Sequence, residues 1–289
     1  MTTAPEPLVE VLIPTFNEAE HIAETVANAR KLGPVFVLDS LSTDGTQALA
    51  HAAGATVVEH PFIDYASQKN WGLEHAGLTA PWVFILDADE RITPALREEV
   101  LGTIGKGAET GYYVNRLLIF MGRTVRHGGL YPSWNLRLFR RGSARYEQRA
   151  VHEHVICDGP TGFLRAEMLH IRRENMTRYL EKHIRYADLE SNEWVKRRLG
   201  ESSGAPEASL FRSRLRYRQW LRRNFWPRVP LRPLWRFFWM YFLRLGFLDG
   251  RAGWHLARLM ASYEYMITLL YQEKMRGAGA RLTKSEAGD

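Results

Sequence analysis

Short apolar runs alternate with stretches whose apolar positions recur every three or four residues through the front of the chain. Val9–Ile13 reads as a buried strand, Glu18–Lys31 as a helix, and Val35–Leu38 as a second strand ending at Asp39. Thr43–Ala53 is helical, Thr56–Val58 is a short strand, Ala66–Ala76 is helical, and Trp82–Leu86 is a strand ending at Asp87. Apolar strands alternating with helices at this spacing predict an α/β fold, a mostly parallel sheet with helices on both faces. Ligands of such sheets bind beyond the carboxyl ends of the strands. Three polar clusters fall there: Pro14-Thr15-Phe16-Asn17-Glu18, Asp39-Ser40 and Asp87-Ala88-Asp89.

From Gly111 to about His170 the pattern changes to strands and loops, with strands expected at Gly111–Phe120 and Asn135–Arg140. Met176–Arg198 reads as a helix carrying Tyr179, Leu180, Ile184, Ala187 and Trp194. Glu201–Pro206 is a small Ser, Gly and Pro linker, and the remainder of the chain is helical, broken by Pro227, Pro230 and Pro233. One α/β domain over residues 1–200 is therefore expected, followed by a helical appendage over 201–289.

Composition sharpens this picture. With 289 residues, 45% of them hydrophobic, the chain can bury a core, and nine Trp argue against disorder. A single cysteine, Cys157, excludes a disulfide framework and suits a reducing compartment. Met1–Leu8 shows no basic stretch followed by an apolar run, so no signal peptide is expected. No uncharged apolar stretch reaches about eighteen residues, so a simple membrane span is not expected. Residues 205–276 hold 14 Lys and Arg against 4 Asp and Glu, a net +10, which leaves −3 for the rest of a chain whose total is +7. A basic tail behind an acidic front implies an anionic partner for the tail.

Asp87-Ala88-Asp89 follows the apolar strand Trp82–Leu86. Alternate residues of an extended segment share a side, so both carboxylates are expected to face one ligand. Mg²⁺ or Mn²⁺ is typically held by one or two carboxylates plus substrate phosphates, and neutralises a leaving diphosphate. The bland alternative is a solvated turn, with Asp89 capping a helix that starts near Thr93-Pro94.

Four ordered motifs carry a resemblance. Val11-Leu-Ile-Pro-Thr-Phe-Asn-Glu18, Val37-Leu-Asp-Ser-Leu-Ser-Thr-Asp-Gly-Thr46, Gln68-Lys-Asn-Trp-Gly-Leu73 and Leu86-Asp-Ala-Asp-Glu90 resemble the family 2 glycosyltransferases over roughly the first half of the chain. The resemblance implies a GT-A fold, a UDP-sugar or related donor, Mg²⁺ or Mn²⁺, and inversion at the anomeric carbon. It divides the α/β domain into a nucleotide-sugar half, about 1–110, and an acceptor half, about 111–200. Carried over, Asp39 contacts the uracil or ribose, and Pro14, Thr15 and Glu18 line the nucleotide pocket. Lys69 lies near the diphosphate, Asp87 near the ribose or donor sugar, and Asp89 binds the metal. Each has a plainer role open to it: Glu18 favouring a helix N-terminus, Lys69 solvated on a helix, Asp44 forming a turn. No Gln-x-x-Arg-Trp element of polymer synthases is present, which favours transfer of a single sugar.

Inversion by direct displacement needs a base for the acceptor hydroxyl. Arg149-Ala-Val-His-Glu-His-Val155 resembles the Val-His-Glu element of the lipopolysaccharide core β-1,4-glucosyltransferase subgroup, and Glu153 is the candidate base. His152 and His154 are candidate metal contacts or plain strand residues. A zinc site is the weaker reading, because no three-ligand set can be named. Arg137 is expected either near the donor phosphates or in a cross-strand ion pair. His170 and Lys182 match the same subgroup without an assigned role.

The tail from Arg212 to Arg244 interleaves Arg with Trp, Phe, Tyr and Leu, as in a helix lying in an anionic membrane surface. Farther on, Leu256, Leu259, Tyr263, Met266, Ile267 and Leu270 form a stripe suited to ordinary helix packing. Nucleic acid is not expected as a partner, since no nucleic-acid motif occurs. The chain is thus expected to work peripherally on the inner face of the cell membrane, extending a lipid-linked glycan. A polyprenyl-phosphate acceptor and a non-catalytic scaffold of the same fold are the alternatives. A nucleotidyltransferase is disfavoured, because Pro14-Thr-Phe-Asn replaces the Gly-rich loop expected after its first strand.

Overall fold

The computed structural model describes residues 8–147, 155–172, 176–199 and 229–286, and they divide into two compact units. The first spans Met1–Arg126 and Leu130–Arg173, and the second spans His127–Gly129 and Glu174–Asp289.

In chain order the first unit contains β1 (Val9–Thr15), α1 (Ile22–Ala29), β2 (Val35–Asp39), α2 (Thr46–Ala52), β3 (Thr56–Glu59), α3 (Tyr65–His75) and β4 (Trp82–Ile85). Next come β5 (Glu90–Ile92), α4 (Pro94–Thr103), β6 (Gly111–Phe120), β7 (Arg123–Val125), β8 (Trp134–Arg140), β9 (Ala144–Tyr146), β10 (Val155–Cys157) and β11 (Thr161–Arg172). One sheet runs β3-β2-β1-β4-β8-β6-β11-β5, with β7 beside β6, and β9 pairs with β10 separately. The strands β1 to β4 are parallel, as the alternation predicts. Beyond them the sheet is mixed: β8 is antiparallel to β4 and β6, β11 is parallel to β6, and β5 is antiparallel to β11.

Successive strand residues point to opposite faces, and the core follows that period. Val9, Val11, Ile13, Val35, Val37, Trp82 and Phe84 pack with Ile22 and Val26 of α1, Ala50 of α2, and Leu96 and Val100 of α4. Leu12, Leu38, Val83 and Ile85 pack with Ala76, Trp71 and Leu73 at α3 on the other face. Both faces are covered, which is why these strands read as unbroken apolar runs. Gly72 lets α3 approach closely: a Cβ there would lie 2.6 Å from Leu38 Cδ2 and 3.1 Å from Leu12 Cδ2.

One helix start and one helix cap differ from the sequence reading. The helix expected from Glu18 is regular only from Ile22; before it lies a turn in which His21 N and Ile22 N donate to Glu18 O (both 2.9 Å), while the amides of Glu18 and Ala19 donate to Thr46 Oγ1 (2.8 Å) and Asp44 Oδ2 (3.0 Å). The helix near Thr93-Pro94 is capped by Thr93, whose hydroxyl accepts from Leu96 N at 3.2 Å, with Pro94 in the first turn. Asp89 therefore has no capping role.

The second unit comprises α5 (Met176–Arg198), α6 (Arg232–Phe238), a π-helical turn Trp239–Leu243, a 3₁₀ turn Gly246–Asp249, and α7 (Gly250–Glu286). The stripe on α7 faces inward, with Leu256 and Ile267 buried. Lys274 clamps α7 to α5 by donating to Asp188 Oδ1 (2.6 Å), Ser191 Oγ (2.7 Å) and Asn192 Oδ1 (2.7 Å). Helix α5 thus groups with the C-terminal helices. His127 joins this unit through Asp249, which accepts from its backbone N–H and pairs with its ring, both at 2.8 Å. Among the described residues no helix is long and apolar enough to cross a membrane. The part of the basic tail from Arg212 to Arg228 lies outside the described residues.

Candidate active site

The parallel register sets Thr15 beside Asp39, and the amide of Leu86 donates to Leu12 O at 3.1 Å. The carboxyl ends of β2, β1 and β4 therefore lie side by side, with the outer two separated by two strand spacings, roughly 9–10 Å. The loops after β1 and β2 are laced together. Asn17 N donates to Ser42 Oγ at 2.8 Å, and Thr43 N donates to Asn17 Oδ1 at 2.9 Å. Asn17 and Leu41 both hold left-handed backbone, at φ 55° and 62°, a strain that the lacing sustains and that clusters at functional sites. Phe16 and Leu41 are exposed on these loops, and Pro14 and Glu18 are half-buried beside them. Asp44 is a turn former, accepting from Ala19 N and Thr46 N.

Asp39, expected to touch a base or ribose directly, is fully buried. Its Oδ1 accepts from Ser42 N and Gln47 Nε2 (both 2.7 Å), and its Oδ2 from Thr15 Oγ1 (3.0 Å) and Ser42 Oγ (2.6 Å). All four lone-pair sites of the carboxylate are taken. In this structure the Asp39 carboxylate is held by Thr15, Ser42 and Gln47, and Thr15 is itself buried.

The Asp-x-Asp segment is a tight turn, not the extended strand end expected. Glu90 N donates to Asp87 O at 3.0 Å, while Arg91 Nη1 and Thr25 Oγ1 both donate to the carbonyl of Ala88. The two aspartates consequently meet different partners. Asp87 accepts from Arg137 Nη2 at 2.6 Å and lies 4.0 Å from Lys69 Nζ. Burial pushes the Asp87 carboxyl up, but the charges of Arg137 and Lys69 outweigh it and hold the group far below the usual carboxylate range. Arg137 also donates to Glu90 Oε1 at 2.6 Å, and Arg116 Nη1 stands 3.5 Å from that oxygen. Burial and the neighbouring Asp87 drive Glu90 upward against the pull of Arg137. Of the two roles open to Arg137, the structure shows the cross-strand ion pair: it is 5% exposed, with its charge spent on two carboxylates. Lys69 is no solvated helix residue, since its Nζ also sits over the Tyr146 ring, 4.9 Å from the centroid.

Asp89 Oδ2 pairs with His170 Nε2 on β11 at 2.9 Å, and its side chain is one-third exposed. Burial raises its carboxyl, but the hydrogen bond and charge of His170 prevail and keep it below the ordinary value. An ionised, partly exposed carboxylate with an imidazole beside it fits a hard cation that takes its remaining ligands from substrate oxygens and water. Among the described residues no group of three or more His, Cys, Asp or Glu is arranged to hold a metal.

Glu153, His152 and His154 lie outside the described residues. The chain on either side of them is placed, however: Val155 of β10 pairs with Tyr146 of β9. Tyr146 is tied to α3 by Asn70, which accepts from its N–H (2.8 Å) and donates to its carbonyl (2.9 Å). The described residues flanking that segment, Tyr146 and Val155, pair with each other, and the Tyr146 ring lies beneath Lys69.

Comparison with known proteins settles the family. The model of glycosyl transferase family 2 matches residues 10–170, more than half the chain. The chain belongs to that family. The GT-A expectation holds with it, and the match covers every site residue described above. This glycosyltransferase is 32% identical over 188 residues to the lipopolysaccharide core biosynthesis glycosyltransferase LpsC of Rhizobium meliloti, covering 62% of this chain and 69% of that protein. It is 23% identical over 290 residues to an uncharacterized glycosyltransferase of Rickettsia felis, covering 96% and 94% of the two. Among solved structures, glucosyl-3-phosphoglycerate synthase of Mycobacterium tuberculosis with Mn²⁺, UDP and glucosyl-3-phosphoglycerate is similar over 39% of this chain and 44% of that one, at 23% identity and a TM-score of 0.34. The enzyme spans less than half the length of that structure, too partial a likeness to carry its ligands across.

Sequence reasoning missed Ser42, Gln47, Glu90 and Arg116. The Ser42-Thr43-Asp44 run was visible as a turn, and its lacing to Asn17 was not. Glu90 and Arg116 lie far apart in sequence, and only the sheet register brings them together.

Proposed function

We propose that this enzyme is an inverting hexosyltransferase that moves one sugar from a nucleotide-diphosphate-sugar, a UDP-hexose, to a lipid-linked glycan in lipopolysaccharide core or envelope polysaccharide synthesis. The observation that carries the reading is the row formed by Asp39, Asp87 and Asp89 at the carboxyl edge of β2, β1 and β4, with cations behind one aspartate and His170 behind another. Residues 1–110 form the donor half and residues 111–200 the acceptor half.

The nucleoside lies against Phe16 and Leu41, and its base competes with Gln47 for an oxygen of Asp39. Pro14, Thr15 and Glu18 form the floor and rim of that pocket. Lys69 and Arg116 face the diphosphate, with Arg137 holding Asp87 ionised toward the ribose or donor sugar. Asp89, oriented by His170, holds Mg²⁺ or Mn²⁺. When bound, the metal offsets charge on the departing diphosphate. Glu153 accepts the proton of the acceptor hydroxyl as the oxygen attacks the anomeric carbon. The anchoring of Tyr146 and Val155 supports this role, because Glu153 is two residues, at most about 7 Å of chain, from Val155.

The second unit attaches the enzyme to the inner face of the cell membrane. Leu231, Leu234, Trp235, Phe238, Phe242 and Leu243 are exposed, and Arg236 and Arg244 lie among them. A polyprenyl-phosphate acceptor fits the same surface. The non-catalytic alternative is disfavoured by the intact carboxylates.

The test is donor hydrolysis or transfer with Mn²⁺, comparing the wild type with Asp89→Ala. Loss of about 3 kcal/mol of transition-state stabilisation, roughly a hundredfold in rate, is expected. Equal turnover by the two proteins overturns the proposal.

A further inference from the structure

The C-terminal helical unit contains a groove that the transfer chemistry does not use. It has a volume of about 550 Å³, and Trp194, Leu231, Arg232, Leu234, Tyr265 and Tyr271 line most of it. That size falls within the range of small-ligand sites.

Its walls are apolar and aromatic, and its one basic residue is buried. Arg232 is 4% exposed and stacks over the Trp194 ring, 4.3 Å from the centroid. Its Nη2 donates to Thr268 Oγ1. Its Nη1 stands 3.8 Å from Glu264 Oε2, beyond hydrogen-bond distance, and has no acceptor among the described residues. Glu264 pairs with the charge of Arg232, but a buried donor without an acceptor at hydrogen-bond distance is costly until an oxygen reaches it. Burial also lowers the pKa of Arg232 below the usual arginine value, although Glu264 and Glu190 act to raise it.

The rim points to the source of that oxygen. Leu231 is 68% exposed, Leu234 64%, and Trp235 and Tyr265 each 54%. Leu231 holds a left-handed backbone at φ 53°, unusual for leucine, which positions it at the start of α6. Among the described residues, Arg236 lies beside these apolar side chains on α6 and Arg244 follows in the next turn. An occupant that is apolar along the walls and offers an anionic oxygen to Arg232 Nη1 fits the groove.

We propose that this groove binds one anionic phospholipid of the bilayer, with the headgroup phosphate at Arg232 Nη1 and the upper acyl chain against Trp194, Leu234, Tyr265 and Tyr271. The remaining chain length stays in the membrane on which Leu231 and Trp235 rest. This deepens the membrane-surface reading above by turning diffuse attraction into a stoichiometric site.

The experiment uses the full chain and monomeric dihexanoyl-phosphatidylglycerol, held below its micelle-forming concentration. A lipid that binds the native state raises the melting temperature in proportion to its occupancy. A saturable rise is expected, with dihexanoyl-phosphatidylcholine at least tenfold weaker and inorganic phosphate inactive. Arg232→Gln should abolish the rise. Because Arg232 is buried and that variant can lose its fold, Leu234→Asp provides the second arm, keeping the ligand-free melting temperature and losing the lipid response. No shift with the glycerol lipid, equal shifts with both lipids, or an unchanged response in Leu234→Asp overturns the groove. Phosphatidylglycerol vesicles that pellet the wild type while the monomeric lipid leaves it unmoved would retain membrane attachment and overturn this site alone.

Discussion

His170 Nε2 lies 2.9 Å from Asp89 Oδ2, tying the turn after β4 to strand β11 across 81 residues of sequence. The amide of Ile171 also donates to the Asp89 carbonyl, at 2.8 Å, so both the backbone and the side chain of this aspartate are held by one strand. A ligand carboxylate oriented in this way needs little reorganisation when a cation arrives.

Replacing His170 with Ala should therefore weaken metal use more than it weakens the fold. The Mn²⁺ concentration giving half-maximal donor hydrolysis should rise about 10–100-fold. Saturating Mn²⁺ should recover most of the rate. A metal titration of both proteins checks this, and an unshifted midpoint would remove His170 from the site.

Arg137 bridges Asp87 and Glu90 from a position that is 5% exposed, beside a Glu90 that is fully buried. Arg137→Met leaves two carboxylates without their main partner and should cost about 3–5 kcal/mol in denaturant unfolding. Adding Glu90→Gln removes one of the stranded charges. The double variant should be more stable than Arg137→Met alone, because the residues are directly coupled.

Glu167 on β11 receives both terminal nitrogens of Arg126, at 2.7 and 2.8 Å, and the hydroxyl of Tyr131. The Arg126 hydrogen bonds lower its pKa below the ordinary 4.5, outweighing partial burial. A carboxyl depressed in the folded state adds stability above its unfolded pKa, and that stability fades as pH falls through the folded value. Unfolding curves for the wild type and Glu167→Gln should differ most near neutral pH and converge below about pH 4. A gap that widens with acid would contradict the assignment.

Gly72 faces Leu12 and Leu38 in a fully buried layer. Gly72→Val should overpack it and cost about 1–3 kcal/mol, despite the better helix propensity of valine. The fall in melting temperature should be accompanied by weaker donor binding, because Lys69 and Asn70 ride on the same helix.

Much of the first unit was legible. The strands at Val9, Val35 and Trp82 were evident because burial on both faces leaves unbroken apolar runs. Helix boundaries were less so: α1 is regular only from Ile22, and the preceding residues form a turn in which His21 N and Ile22 N both donate to Glu18 O. The Asp-x-Asp segment looked extended because it follows a strand, yet Thr25 and Arg91 seize the Ala88 carbonyl and close a turn. The bland reading of Asp89 as a cap fails on the hydroxyl of Thr93. Arg137 was open to two roles by sequence, and burial selects the ion pair.

What the sequence determined by itself was the period of the elements and the placement of acidic clusters after strands β2 and β4, because burial pattern and strand ends are local properties of the chain. Only the tertiary structure decided which groups face those acids: Gln47 and Thr15 at Asp39, Arg137 and Lys69 at Asp87, His170 at Asp89. Ion pairs and hydrogen bonds depend on distances of a few ångströms. Those distances are set by the register of strands up to 81 residues apart, which no local pattern encodes.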